Sequence, residues 1–259
     1  MSFFIGVDIG SVATKVVLLS LNGDYKIKNF KISPTGPNGN KTALKLIEEI
    51  LNEENLNKID IKRILATGYG RVSVDFTDLT KTEISCHAKG AKFLFPKTKT
   101  IIDIGGQDSK AIKLANNGNV VDFVMNDKCA AGTGRFLEVM SHALQIELKD
   151  FGNLHEKSKN LIEITSICTV FAESEIISLI HEGVSKEDIV KGLNYSVARR
   201  AVTLLKRVNY EEEITMTGGV AKNSGVVSAL EDLLKLKINI PENPQIIGAI
   251  GAAIFASES

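Results

Sequence analysis

Two segments of this chain place an aspartate, glycines and a lysine at the same spacing. The first, DIGSVATK, begins at Asp8, and the second, DIGGQDSK, begins 95 residues later at Asp103. Each follows a short apolar run typical of a strand, so both aspartates are expected at strand ends. The glycines, Gly10 in the first copy and Gly105 and Gly106 in the second, let backbone N–H groups approach phosphate oxygens. Carboxylates at this place can hold Mg²⁺ through water, because this hard ion prefers oxygen ligands. The pair predicts that the phosphates of a nucleotide lie between the two loops.

Two cysteines precede predicted helices. Cys129 lies in MNDKCAAGTGRFLEVM, before a glycine-rich turn, and Cys168 lies in ITSICTVFAESE, directly before an apolar helix. A helix N-terminus stabilises a thiolate or a negatively charged cluster. The simpler alternative is that both are small buried apolar residues. Two thiols cannot complete a four-ligand cluster or zinc site, but a two-fold homodimer would supply two more. From spacing alone, both alternatives stay open.

Composition limits the class of protein. A chain of 259 residues is long enough for one large or two modest domains, and two are favoured. With 31 basic and 31 acidic residues the net charge is zero, which gives no electrostatic reason to expect nucleic acid or an anionic membrane as partner. The longest apolar run, 246–256, is too short for a membrane span, and the N-terminus lacks the basic flank of a signal peptide. A cytoplasmic location is expected. The odd number of cysteines, three, argues against a disulfide framework.

The repeat extends beyond the two loops and predicts the fold. Each copy reads as strand, glycine turn, strand, Asn-Gly turn and strand, and each half has a later apolar strand that ends in Thr-Gly, at Thr67 and Thr217. Helical patterns cover the residues 41–53, 134–148, 170–182, 186–208 and 224–235.

We therefore expect two α/β domains with mixed sheets. The predicted boundaries are 1–97 and 98–259, with the division near Pro96 and with the option that the last helix packs back on the first domain.

Nine motifs, read in order, make the chain resemble a known family. They are DIGSVATK, ATGYGR, SCHAKGA, DIGGQDSK, MNDKCAAGTGRF, CTVFAESE, SVARR, MTGGVAKN and GAIGAA, and they cover nearly the whole chain. The chain resembles the ATP-dependent activators, or component A, of 2-hydroxyacyl-CoA dehydratases, within the wider family that includes benzoyl-CoA reductase ATPase subunits. The resemblance implies the duplicated two-domain ATPase fold of actin, the 70-kDa heat-shock chaperones and sugar kinases. It also implies a homodimer with one [4Fe–4S] cluster between its subunits.

The resemblance assigns residues to sites. It implies that Cys129 and Cys168 of both chains ligate the cluster, and that ATP or ADP binds with Mg²⁺ near Asp8 and Asp103. The residues implied for the first phosphate loop, the second phosphate loop and the adenosine site are, in turn, Ser11, Thr14 and Lys15; Gly105, Gly106, Gln107, Asp108 and Lys110; and Gly218, Gly219 and Asn223. The turn after Cys129 adds Gly132, Thr133 and Gly134 to the cofactor-binding candidates.

The roles of some candidates stay open. Gln107 could orient the attacking water, because a neutral amide suits slow, regulated hydrolysis, and Asp108 is the competing base. Lys15 could instead be a solvated strand lysine.

Residues outside these motifs are expected to be structural. Cys86 lies next to His87, but no further ligand is nearby in sequence. Arg199 and Arg200 are expected to be solvated charges. Surface or helix-end positions are expected for the other histidines, His142, His155 and His181.

The predicted function is an ATPase that drives low-potential one-electron transfer from its cluster to a partner iron–sulfur enzyme. The resemblance implies that this partner is a 2-hydroxyacyl-CoA dehydratase, a benzoyl-CoA reductase or a double-cubane-cluster protein, and that a ferredoxin or flavodoxin is the electron donor. Domain movement linked to hydrolysis would change cluster exposure and hydrogen bonding, which set its reduction potential. The alternatives are a small-molecule kinase of the same fold and an actin-like filament or nucleotide switch. The second would not explain two cysteines at helix starts.

Overall fold

The computed structural model describes residues 1–165 and 168–259. A first mixed sheet has the order β3-β2-β1-β4-β5, and its strands are β1 (Ser2–Ile9), β2 (Ala13–Asn22), β3 (Asp24–Pro34), β4 (Ile61–Thr67) and β5 (Leu79–Thr80). The helices that accompany this sheet are α1 (Gly39–Glu53), α2 (Glu83–Leu94) and the C-terminal α8 (Ile247–Glu258).

A second mixed sheet has the order β8-β7-β6-β9. Its strands are β6 (Thr100–Ile104), β7 (Ser109–Leu114), β8 (Val120–Asn126) and β9 (Ile214–Thr217). The helices between β8 and β9 are α3 (Gly134–Leu144), α4 (Phe151–Lys157), α5 (Thr169–His181) and α6 (Lys186–Arg207), and α7 (Ser224–Leu234) follows β9.

The predicted duplication is confirmed down to the strand register. In the first sheet Asp8 lies opposite Lys15 on antiparallel β2 and beside Thr67 on parallel β4. In the second sheet Asp103 lies opposite Lys110 on β7, and its parallel neighbour on β9 is the second Thr-Gly threonine. Both sheets therefore carry an aspartate, a lysine and a threonine at one corner.

The two faces of β1 explain how α8 is placed. Ile5, Val7 and Ile9 pack with α1 in one apolar cluster, because alternate side chains of a strand point to the same face. Phe4 packs in a different cluster with residues of α8. On that second face Gly6 lets α8 approach closely, since a Cβ there would overlap the backbone of Ala249. The apolar run 246–256 is thus a buried helix, and no helix in the described residues is long and apolar enough to cross a membrane.

The chain forms two compact units. The first contains Met1–Thr98, Leu114–Val121 and Pro241–Ser259, and the second contains Lys99–Lys113 and Asp122–Ile240. Neither unit is one continuous segment, because the turn between β7 and β8 and the C-terminal helix both belong to the first.

The helix boundaries differ from the predicted ones in a few places. Helix α3 ends at Leu144 rather than at 148, because Gln145 adopts a left-handed conformation and the amides of Gln145 and Ile146 bond back to the last turn. Helices α2 and α4 were not predicted. The helices predicted over 41–53, 170–182, 186–208 and 224–235 are present with bounds that differ by at most two residues.

Asp188 in the first turn of α6 anchors the segment that leads towards Cys168. Its Oδ1 accepts hydrogen bonds from the Ser158 hydroxyl at 2.7 Å and from the backbone amides of Lys159 and Asn160 at 3.0 Å. Its Oδ2 accepts from the Asn160 side chain at 3.1 Å. The donors of Asn160 and Ser158 hold the pKa of Asp188 well below its ordinary value.

We expect Asp188→Asn to destabilise the protein by about 1–3 kcal/mol at neutral pH, because several donors lose an ionised acceptor. Since the folded-state pKa is lowered, this stabilisation is fully present above the unfolded pKa of about 3.9 and is lost as the pH falls further. The melting-temperature difference between wild type and variant should therefore be largest near neutral pH and shrink in acid. Thermal unfolding across this range, with Asp24→Asn at an exposed turn as control, measures it. A difference that does not change with pH would contradict the role of the charge.

Candidate functional site

The second glycine loop, between β6 and β7, holds two carboxylates around one buried lysine. The Lys110 ammonium lies 3.3 Å from Oδ2 of Asp103 and 2.8 Å from Oδ2 of Asp108. The other oxygen of Asp103 accepts a hydrogen bond from the Thr217 hydroxyl at 2.7 Å. The Gly105 amide closes the turn by donating to the Asp108 carbonyl at 2.9 Å. The bonds from Lys110 and Thr217 fix the orientation of the Asp103 carboxylate.

The two candidates for activating water differ in their surroundings. Gln107 is exposed at the tip of the loop, whereas the Asp108 carboxylate is engaged by Lys110. The hydrogen bond from Lys110, at 2.8 Å, occupies one oxygen of the Asp108 carboxylate and holds this side chain in the loop. The geometry therefore favours Gln107 for contact with a ligand and gives Asp108 a structural bond.

Helix α3 begins directly on this loop. Thr133 is its N-cap residue but makes no side-chain capping bond, and its hydroxyl donates instead to the Ala130 carbonyl at 2.6 Å. The amide of Gly134 donates to the Gly105 carbonyl at 2.9 Å, and that of Arg135 donates to the Gly106 carbonyl at 2.7 Å. Two of the N–H groups that a helix N-terminus leaves unpaired are thus satisfied by the glycine loop.

The first glycine loop, between β1 and β2, repeats the ion pair. The Lys15 ammonium lies 3.1 Å from Oδ2 of Asp8, so it is a paired residue and not a solvated strand lysine. The Gly10 amide donates to the Ala13 carbonyl at 3.1 Å. Thr14 is buried, and its hydroxyl lies 3.0 Å from that of Thr35, so it supports the loop through an internal hydrogen bond. Ser11, by contrast, is exposed.

The Thr-Gly turns pass directly over the two aspartates. Gly218 has φ of +87°, and a Cβ there would lie 2.9 Å from Oδ1 of Asp103. Gly68 has φ of +85°, and a Cβ there would overlap Oδ1 of Asp8. Positive φ and close approach both require glycine. Gly68 was missing from the predicted site residues, although the repeated Thr-Gly could have identified it.

Asn223 makes internal bonds at the start of α7. Its side-chain oxygen caps the helix by accepting from the amides of Gly225 and Val226, at 3.0 and 3.4 Å. Its side-chain nitrogen donates to Asn194 at 2.9 Å. The residue thus shapes the turn after Gly218 and Gly219, which was not apparent from the sequence.

Cys129 and Cys168 are both exposed. Cys168 is the N-cap residue of α5, and Cys129 lies five residues before α3. Helices α3 and α5 pack against each other, so the two segments belong to one part of the second unit. Within residues 1–165 and 168–259, no group of three or more His, Cys, Asp or Glu side chains is arranged to hold a metal ion.

Cys86 differs from the other two cysteines. It lies on α2 and is buried against α8, and burial raises the pKa of its thiol to about 12. It is therefore a neutral packing residue, as the sequence analysis favoured. Its neighbour His87 is also buried, and a Cβ at Gly248 would lie 3.1 Å from Nε2 of His87 and 3.2 Å from Oδ2 of Asp8.

The contacts of three further residues were not predicted. His155 lies in the last turn of α4, so its expected helix-end position is confirmed, but it is buried, stacks on Tyr195, and has its pKa lowered by burial. Arg199 is paired with Glu163 at 3.3 Å. The aliphatic stem of Arg200 packs on Gly132, where a Cβ would lie 2.7 Å from its Cδ. These contacts join elements that are distant in sequence, so no local pattern could reveal them.

Known proteins resemble this chain over its whole length. The activator of lactoyl-CoA dehydratase of Anaerotignum propionicum is 47% identical over 257 residues, which cover 99% of this chain and 98% of the relative. The 2-hydroxyisocaproyl-CoA dehydratase activator of Clostridioides difficile is 44% identical over 254 residues, 98% of this chain and 94% of the relative. The solved structure of the latter activator with bound ADPNP matches with a TM-score of 0.93 and covers 99% of this chain and 94% of that chain.

Structures with low sequence identity to this chain show only that the fold is shared. The ROK family glucokinase of Streptomyces griseus, in complex with glucose and AMPPNP, matches with a TM-score of 0.62 at 12% identity and covers 100% of both chains. The predicted duplicated ATPase fold is thereby confirmed. The model of the BadF/BadG/BcrA/BcrD ATPase family matches residues 5–256, and the chain therefore belongs to this family of ATPases.

Proposed function

We propose that this ATPase is the activator of a 2-hydroxyacyl-CoA dehydratase and passes it single low-potential electrons as ATP is hydrolysed. Two relatives of similar length that carry the names of such activators support this substrate class. The observation that carries the proposal is the pair of exposed thiols, Cys129 and Cys168, on segments that open two packed helices. One of these helices begins on a loop suited to phosphate. An ATPase without electron transfer would have no need of both features together.

The glycine loops are proposed to bind Mg-ATP. The turns at Gly10, Gly105 and Gly106 suit phosphate oxygens, because no side chain at these glycines blocks the approach to the backbone, and the turn at Gly218 and Gly219 suits the nucleoside. Asp8 and Asp103 are each oriented by an ion pair with a lysine and would contact Mg²⁺ through water. Gln107 at the exposed loop tip would orient the attacking water.

The cysteines fit a cluster shared between two copies of the chain. A [4Fe–4S] cluster takes four thiolates, and each chain offers two that are exposed. A two-fold axis would supply the other pair. When bound, such a cluster supplies a carrier for one electron. Cys168 at the N-cap of α5 would place a negatively charged cluster at the positive end of this helix.

The surface of α5 supports a second copy as the partner at this place. Only Ala172 and Ile176 of this helix are buried. Val170 and Phe171, in the first turn after Cys168, are 66% and 68% exposed, and Ile177 and Ile180 are exposed as well. Four large apolar side chains exposed on one helix favour an interaction site at α5. We infer that it packs against the partner subunit in a homodimer.

The remaining partners are proposed from the family resemblance. A cluster that delivers one low-potential electron must be recharged by a small one-electron donor, for which a ferredoxin or flavodoxin is suited. The acceptor is the iron–sulfur dehydratase, and the reaction is proposed to take place in the cytoplasm. The zero net charge of the chain gives no electrostatic reason for nucleic acid or an anionic membrane as partner.

One observation argues against the alternative that the protein is a small-molecule kinase. A kinase needs a carboxylate base beside the acceptor hydroxyl, but Asp108, the carboxylate of the second loop tip, is bonded to Lys110. A nucleotide switch would leave both exposed thiols without a role. Iron analysis of anaerobically purified protein separates the alternatives, since only the activator should contain iron.

We expect Gln107→Ala to lower the ATPase kcat about tenfold, or about 1.4 kcal/mol, while ATP affinity stays nearly unchanged. The reason is that a residue orienting water acts mainly in the transition state. Steady-state hydrolysis and a nucleotide titration measure the two quantities. Asp108→Asn is the comparator. The assignment of Gln107 is wrong if Asp108→Asn alone abolishes turnover with affinity intact.

We expect Cys129→Ser and Cys168→Ser each to lose the bound iron, because each substitution removes two of the four ligands in a shared cluster. Cys86→Ala should retain it, since that thiol is buried. Wild-type protein should contain about two iron atoms per chain, as a cluster with about four iron atoms is divided between two chains. Iron and acid-labile sulfide assays with size-exclusion chromatography provide the test. About four iron atoms per chain, or an iron-free Cys86→Ala protein, would exclude the shared arrangement.

A further inference from the structure

The loop that carries Cys129 is closed by a single side chain at its start. Asn126 is the last residue of β8, and its side-chain nitrogen donates to the carbonyl of Cys129 at 2.9 Å. The same nitrogen lies 3.4 Å from the carbonyl of Ala131. One side-chain amide thus bonds to two carbonyls of the same loop. The bonds involve only main-chain atoms of Cys129, so its thiol stays exposed.

The far end of this loop is fixed in a different way. Thr133 donates to the Ala130 carbonyl through both its hydroxyl, at 2.6 Å, and its amide, at 3.0 Å. Gly132 has φ of +82° and is covered by the stem of Arg200. Helix α3 then begins on the glycine loop. The segment 127–133 is therefore held by α3 at its end and by Asn126 at its start.

A ligand held at both ends presents its sulfur at one place. For a metal site, groups that fix the ligands without touching the metal control affinity and reduction potential. A side chain that donates to the carbonyl of a ligating residue acts in this way, because it restrains the main chain from which the sulfur extends. Loss of one such hydrogen bond is enough to loosen a local segment without unfolding a domain.

We propose that Asn126 is a positioning residue for Cys129, which fixes the main chain of the loop so that the thiolate is held for cluster binding. This inference rests on the proposed function, because it concerns the ligand role of Cys129. It goes beyond that role in assigning the placement of the ligand to a residue of the neighbouring strand.

The test uses two substitutions and a matched control in the full-length protein. Asn126→Ala removes the amide, and Asn126→Asp keeps its size but replaces the donor by a carboxylate that faces two carbonyls. Asn117→Ala is the control, because Asn117 also bonds to local backbone, accepting from the Asn119 amide at 3.0 Å, in the turn before β8. In cluster-free protein, amide hydrogen exchange over 127–135 should be about fivefold faster in both Asn126 variants than in wild type and in the control.

The second measurement uses protein reconstituted with iron and sulfide under anaerobic conditions. Iron release to a chelator should be about threefold faster or more in the Asn126 variants, while melting temperature and ATPase rate stay near wild type. Wild-type exchange over 127–135 together with wild-type iron release in both variants would overturn the proposal. So would a uniform loss of melting temperature, ATPase and iron without a local change in exchange, since that describes a structural residue.

Failure of the proposed function gives a different pattern. Wild-type protein that takes up no iron, or a Cys129→Ser protein that keeps it, would show that Cys129 is not a ligand. If wild type holds iron and Cys129→Ser does not, unchanged iron release in Asn126→Ala counts against the positioning role alone.

Discussion

The bond between the second glycine loop and the start of α3 is the constraint on which the rest of the site depends. Thr133 does not cap this helix, and the carbonyls of Gly105 and Gly106 accept its first two amides instead. The loop proposed to bind phosphate is therefore hydrogen-bonded directly to the start of α3, the helix that follows Cys129. A change in the loop must either move α3 or break two hydrogen bonds, at a cost of about 1 kcal/mol each.

The two exposed cysteines are positioned by different elements of the structure. Cys129 lies between Asn126 and a helix that is bonded to the glycine loop. Cys168 is the N-cap residue of α5, which exposes four large apolar side chains, those of Val170, Phe171, Ile177 and Ile180. In our proposal Cys129 is therefore linked through α3 to the loop that binds the nucleotide, and Cys168 lies on the helix that packs against the partner subunit. A cluster held by both would respond to the nucleotide through one pair of its ligands, because placement and hydrogen bonding set its potential.

Sequence alone predicted the features that repeat or that are local. The duplicated loops and the Thr-Gly strands reveal the two sheets, and apolar periodicity identifies α6 and α7. Features that depend on distant contacts were missed. Nothing local shows that His155 is buried against Tyr195, or that Asn223 serves as a helix cap bonded to Asn194. The ion pair of Asp103 with Lys110 was not predicted, although it is local. The tight hairpin between β6 and β7 places the two residues opposite each other, so the predicted strands could have indicated it.

A redox titration under two nucleotide conditions tests the link between nucleotide and cysteine most directly. The midpoint potential of reconstituted wild-type protein would be measured by electron paramagnetic resonance with Mg-ADP and with Mg-AMPPNP. We expect the two midpoints to differ by about 59 mV or more, which is a tenfold change in a one-electron equilibrium. Identical midpoints in a protein that binds both nucleotides and holds its full iron content would contradict the coupling of the glycine loop to Cys129.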